Sequence, residues 1–165
     1  KPGASEASCP HVGKTSCTRP SSEQVNHFIR QAEQLCAERK QRFTALRKRV
    51  LELICKYSQP VGAYSLLDDL REEGRSAAPP TIYRALDFLL EQGLVHRLAT
   101  NNTYLACAHP QQQHEAVFLV CKQCGYTREL HTDGIDSGVV NHAQKVSFQI
   151  EHFSVEVTGL CASCQ

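Results

Sequence analysis

Four cysteines in two Cys-x-x-Cys knuckles, Cys121/Cys124 and Cys161/Cys164, bracket the last third of this 165-residue chain. Two such knuckles can gather four sulfurs around one ion, and a closed tetrahedral S4 shell suits structural zinc. The pairs stand far enough apart in sequence for the ion to staple a small domain rather than a loop. Disulfides within a knuckle would be strained, and a thioredoxin-type motif would open a helix rather than close strands. One structural zinc is therefore expected.

Nine cysteines without a secretory signal point to a reducing, cytoplasmic setting in which thiolates serve metals. No apolar run reaches the roughly 18 residues of a membrane span, so no membrane partner is expected. The net charge of +1 hides an asymmetry: residues 1–100 carry fifteen Lys and Arg against eleven Asp and Glu, and residues 101–165 carry three against six. A mildly basic front part is compatible with a polyanion and proves nothing alone.

Residues 1–20 are rich in Pro, Gly, Ser and Thr and read as a disordered tail holding Cys9, His11 and Cys17, with stray thiols the favoured reading. Four helical patterns follow. The first takes Ser22 as its N-cap and repeats Val25, Phe28, Ile29, Ala32, Leu35 and Cys36; the second opens at Thr44 with Leu46, Val50, Leu53, Ile54 and Tyr57 on one face. Cys36 and Cys55 fall on or beside these stripes as core thiols. A third helix spans Ala63 to Gly74, with Leu67 and Leu70 inward and Asp68, Asp69, Arg71, Glu72 and Glu73 mainly outward. Pro79-Pro80 start the fourth, since proline fits a first turn whose N–H groups lack partners anyway. Ile82, Leu86, Leu89 and Leu90 face inward there, and Gly93 supplies the left-handed stop.

Two strands, Leu94–Ala99 and Thr103–Cys107, then meet across a turn at Asn101-Asn102. Helices followed by a two-stranded wing make a winged helix-turn-helix, whose second helix enters the major groove. Beyond a polar stretch, 109–115, Val117–Cys121 and Tyr126–Leu130 read as a hairpin around the first knuckle. Asp133 or Asp136 caps a helix to Lys145, and Phe148–Thr158 forms a last strand with a bulge or start near His152. The fold class is α+β: a disordered tail 1–20, a winged-helix domain 21–107, a hinge 108–115, and an α/β zinc-binding domain 116–165. So small a second domain has few core residues of its own and is expected to pair with a second copy.

The run from Pro79 to His96, Pro-Pro-Thr-Ile-Tyr-Arg-Ala-Leu-Asp-Phe-Leu-Leu-Glu-Gln-Gly-Leu-Val-His, resembles the recognition helix and wing entry of the ferric uptake regulator superfamily, and its zinc uptake regulator branch most of all. The resemblance spans about 22–164 and includes Ala63-Tyr64, Cys107, both knuckles and Gly125. It implies a homodimeric, metal-activated repressor on double-stranded operator DNA with an inverted repeat, two dimers sharing one operator in some cases. It places structural zinc on Cys121, Cys124, Cys161 and Cys164, and regulatory zinc on His96, Cys107, His114 and Glu129. His109 competes with His114 for the third regulatory position, and His109 and His152 are candidates for a weak third site. On the DNA side it implies Arg84 on a base edge and Tyr64 at the DNA surface; Thr81 and Tyr83, by their place at the helix start, are positioned for phosphates or groove edges, the alternative being packing for Tyr83 and a solvated charge for Arg84. Asp68 and Arg71 match a contact between neighbouring dimers, although their i, i+3 spacing equally permits a local ion pair. Thr44-Ala45 replaces the family's usual Thr-Pro pair, and the chain lacks the His-rich tail of some relatives.

An iron, manganese or peroxide sensor on the same fold is the near alternative, distinguished by whether Cys107 binds the regulatory ion. A zinc-ribbon module without a sensor would leave His96, Cys107, His114 and Glu129 unexplained. A zinc deaminase would need His-x-Glu and Pro-Cys-x-x-Cys, whereas no His-x-Glu occurs and Val120 precedes Cys121. With no HExxH, GxSxG or P-loop either, no enzyme is expected.

Overall fold

The computed structural model describes residues 21–75, 77–107, 109–111, 116–130, 135–150 and 153–165; the expected tail, 1–20, lies outside them. Ser21, one residue earlier than expected, caps α1 (Ser22–Glu38): its hydroxyl accepts the Gln24 N–H while the Gln24 side chain returns to the Ser21 N–H. That reciprocal pair is available only three residues apart, which is why Ser21 wins over Ser22. Thr44 caps α2 (Ala45–Lys56) by accepting the Arg47 N–H. A short strand, β1 (Val61–Gly62), precedes α3 (Ala63–Glu72). Then come α4 (Pro79–Glu91), β2 (Val95–Leu98) and β3 (Thr103–Ala106).

One core joins these helices: Ile29, Ala32 and Cys36 of α1, Val50, Leu51 and Ile54 of α2, Leu66, Leu67 and Leu70 of α3, and Ile82, Leu86 and Leu89 of α4 are all buried. Of the buried residues, Leu51, Leu66, Ala85 and Phe88 lie outside the expected stripes, so those of α2, α3 and α4 are wider than the periodicity alone suggested. Polar contacts fix the helix ends against one another. Tyr57 donates to Asp69 at 2.7 Å, so Asp69 is half-buried rather than outward. Arg39 donates to the Gln92 carbonyl at 2.6 Å, tying the end of α1 to the end of α4.

The β1 strand, which the sequence did not announce, pairs with β3, giving a three-stranded sheet in the order β1-β3-β2. Alternation along the hairpin gives it two different faces. Val95 and Tyr104 pack into the helical core. His96, Leu98, Leu105 and Cys107 share the other face, and Leu98 and Leu105 form a second small core with Phe118 and Val120.

Those last two residues belong to β4 (Ala116–Cys121), the centre of a second sheet. β5 (Thr127–Leu130) pairs with it antiparallel. After α5 (Ile135–Lys145), β6 (Ser154–Gly159) lies parallel on its other side. The last strand starts at Ser154, close to the start expected near His152, so Phe148, whose side chain stands exposed, precedes the strand. A parallel partner must first be carried back to the start of β4, and α5 with the residues after it spans that return.

Lys40 occupies the left-handed position after α1, with φ of 55°, where α3 and α4 use Gly74 and Gly93. Its N–H and that of Gln41 close the helix onto Ala37 and Cys36. Since a side chain there is strained, Lys40→Gly should stabilise the protein by about 0.5–1 kcal/mol, even after glycine's larger unfolded-state entropy. Urea unfolding measures it; an unchanged or lower midpoint would contradict the strained cap.

Candidate metal centre

Parallel pairing of β4 and β6 brings both knuckles to one end of the sheet. Cys121 ends β4 opposite Gly159, and the chain then turns through Cys161 to Cys164. Gly125, at φ 75°, turns the first knuckle, and its N–H reaches the Cys121 carbonyl at 2.9 Å. The four sulfurs of Cys121, Cys124, Cys161 and Cys164 lie within 4.8 Å of one another. Cys124 Sγ and Cys161 Sγ are 3.7 Å apart, far beyond the ~2.05 Å of a disulfide. An ion bonded to sulfur at about 2.3 Å gives a tetrahedral S–S edge of about 3.8 Å, so the spacing fits zinc.

Backbone donors prepare the thiolates. The Cys161 N–H points at Cys121 Sγ from 3.3 Å. Together with the N–H of Cys124, the largest influence, it draws the Cys121 thiol down to about 6. Cys164 is pushed the other way, to about 12, first by its hydrogen bond with the Cys161 sulfur and then by desolvation. Protons crowded among four sulfurs give way readily to a dication.

A second group forms where the two sheets meet. His96 on β2, Cys107 just after β3 and Glu129 on β5 offer ligand atoms within 4.8 Å of one another. The ladder explains the first two: Cys107 N–H donates to Leu94 O at 3.0 Å, so the hairpin continues and places Cys107 on the His96 face. His96 Nε2 lies 3.3 Å from Glu129 Oε1. Burial pushes the Cys107 thiol up to about 12, with the Glu129 charge adding to it and the His109 N–H opposing it. A buried thiol with a half-buried carboxylate and imidazole forms a set that a borderline-soft dication would neutralise. His114 and His152 lie outside the described residues; the side chain of His109 is not among the three that converge.

Two neighbours escaped the sequence reading. Phe118 packs edge-on to His96, ring centroids 5.2 Å apart at 63°, and so holds the imidazole plane. Gln59, before β1, donates to the Cys124 carbonyl at 3.1 Å, joining the first knuckle to the winged-helix domain. The apolar run Val117–Cys121 marked a strand, but strand order was needed to say what Phe118 faces.

On the helix-turn-helix, Arg84 near the start of α4 is exposed, and Tyr64 at the start of α3 is 68% exposed. Thr81 is half-buried, and Tyr83 packs partly against the core. Arg71 donates to Asp68 at 3.2 Å, so the local ion pair exists within this chain.

Known proteins resemble this chain in sequence and in architecture. The zinc uptake regulation protein of Escherichia coli (strain K12) is 42% identical over 141 residues, 85% of this chain and 82% of that protein. A zinc uptake regulator complexed with zinc and DNA superposes with a TM-score of 0.81 at 39% identity, covering 87% of this chain and 95% of the other. Holo XcZur superposes at 0.77 with 44% identity over 84% of this chain and 96% of its own. Apo XcZur, at 43% identity over 86% and 98%, reaches only 0.51. The profile of the ferric uptake regulator family matches residues 38–158, and this chain belongs to that family.

Proposed function

We propose that this chain is a zinc-responsive transcriptional repressor that binds operator DNA as a metal-loaded homodimer and represses zinc-acquisition genes. The observation that carries it is the divided ownership of the second cluster: His96 and Cys107 come from the wing, Glu129 from the C-terminal sheet. In this reading residues 21–107 bind DNA, 108–115 are the hinge, and 116–165 bind zinc and dimerise. Cys121, Cys124, Cys161 and Cys164 hold the structural ion, and His96, Cys107 and Glu129, with His114 as fourth ligand, hold the regulatory one. His109 and His152 are left as candidates for a weaker third site.

Zinc bound at the regulatory site would fix the angle between the domains, and with it the spacing of two recognition helices in a dimer. Several observations support the reading. The chain lies closer to holo than to apo XcZur. A cysteine in the donor set favours zinc over iron or manganese. Exposed Leu119, Val157 and Leu160, with Val139, Val146 and Phe148 on and after α5, suit burial against a second copy. No described helix is long and apolar enough to cross a membrane; the proposed location is the cytoplasm. No catalysis is proposed: the four-sulfur shell leaves no open coordination position, and the second cluster is assigned to sensing.

For DNA, Arg84 has the reach and donor fork to pair with guanine O6 and N7, while Tyr64 suits a thymine methyl or phosphate. Thr81 and Tyr83 would approach the backbone. Asp68 and Arg71 can exchange their local pair for partners on a neighbouring dimer at little cost, since an exposed i, i+3 pair contributes only a few tenths of a kcal/mol.

The two metal sites predict opposite phenotypes. Cys161→Ser should unfold the C-terminal domain and leave a monomer or aggregate, because structural zinc in small modules contributes on the order of 10 kcal/mol of folding free energy. A stable zinc-free dimer, detected by light scattering with metal analysis, would sink the structural assignment. Cys107→Ser should instead keep the dimer and its tightly held zinc. It should lose zinc-stimulated binding to a duplex selected by the zinc-loaded wild type, a coupling of about 1–3 kcal/mol. Normal switching in that variant would move the sensor elsewhere.

Arg84→Ala should cost about 1–3 kcal/mol on the selected duplex and flatten its discrimination from random DNA. Equal weakening on both duplexes in competition assays would make Arg84 a phosphate clamp instead.

A further inference from the structure

Phe118 pairs in register with Glu129 on one side and with Glu156 on the other. Registered side chains project from one face of a sheet, so Glu129, Phe118 and Glu156 form a row facing the wing. Glu129 meets His96 at the base of the wing, and Phe118 covers the His96 ring. Glu156, at the far end of the row, takes hold of the wing's tip. Its Oε1 accepts the Ala99 N–H at 2.5 Å, and its Oε2 accepts the Thr100 N–H at 3.1 Å and the Thr100 hydroxyl.

Turns are ordinarily closed by their own Asn, Asp, Ser or Thr side chains. Here two consecutive backbone donors and a hydroxyl at the β2–β3 turn are satisfied by a carboxylate 56 and 57 residues away in the other domain. Such charge-assisted bonds are the stronger kind. Although burial works to raise it, the Thr100 and Ala99 donors hold the Glu156 carboxyl below its usual range. Three residues of strand separate Ala99 from His96, about 10 Å at 3.3 Å per residue. One attachment would leave the wing free to pivot; two that far apart define its angle.

Resting on the sensor reading above, we propose that Glu156 is a positioning residue for the regulatory site, a second anchor that holds the wing tip to the C-terminal sheet and so presents His96 and Cys107 to Glu129. It touches no metal ligand's donor atom in this role. It acts by raising the fraction of protein already in the binding-competent arrangement, and apparent metal affinity scales with that fraction.

The test is a Co2+ titration of full-length dimer retaining its tight zinc, followed by thiolate-to-cobalt absorption, with Zn2+ competition and no DNA. Glu156→Gln puts an amide where an anion accepted three donors. It should leave the tight zinc, the dimer and the thermal unfolding of the C-terminal domain unchanged while weakening the second site about tenfold, or ~1.4 kcal/mol. Thr100→Val removes only the hydroxyl donor and should weaken it about threefold, less than a full charged hydrogen bond. The double variant should lose no more than Glu156→Gln alone, as expected for two ends of one contact. Wild-type affinity in both single variants overturns the anchor, and so do additive losses. Should Glu156→Gln not fold, the Thr100→Val titration decides alone. A wild-type dimer that takes up no second ion overturns the sensor reading itself, and the proposal with it, before any variant is compared.

Discussion

A two-stranded ribbon buried on both faces is the constraint on which the molecule turns. Val95 and Tyr104 commit one face of the wing to the helices, while Leu98 and Leu105 commit the other to Phe118 and Val120. The first attachment belongs to a core that runs through four helices. The second is small, four apolar side chains supplemented by Gln59, His96 and Glu156 as polar links. At about 1.5–3 kcal/mol for each fully buried apolar side chain, minus the cost of ordering, such a joint is neither rigid nor negligible. A joint of that strength is what a ligand with modest preference for one arrangement can tilt.

Much of this was legible before the fold was known. The helix stripes, the proline start of α4 and the glycine stop at Gly93 are local signals, and local physics decides them. The four-sulfur shell was legible for a different reason: cysteine spacing states a chemical requirement independent of the path between the knuckles. His96, Cys107 and Glu129 were reached only through resemblance, because nothing in their spacing says that β2, β3 and β5 meet. Phe118, Gln59 and Glu156 were not reached at all. Each is an ordinary strand or loop residue whose partner is more than twenty residues away, and strand order, especially the parallel β4–β6 pairing, has no short-range signature. The choice between a bulge and a start near His152 had the same origin: apolar Phe148 and Ile150 looked like strand, yet the ladder begins at Ser154, where β4 offers a partner at Ala116.

The same parallel pairing has a further consequence for the order in which the molecule can be put together. A strand shifted by one residue turns its whole side-chain set to the opposite face. Glu156 and Glu129 face the wing only because β6 and β5 are held in step with Phe118, and the sulfur cluster clamps the Cys121–Gly159 end of that alignment. The knuckles therefore act as a registration pin for a row of side chains they never touch. On the proposed assignment of the two clusters, metal loading would be hierarchical: the second cluster would come into being only after the first is closed, whereas emptying the second would leave the first intact. A protein built this way can report on scarcity of an ion without being dismantled by it.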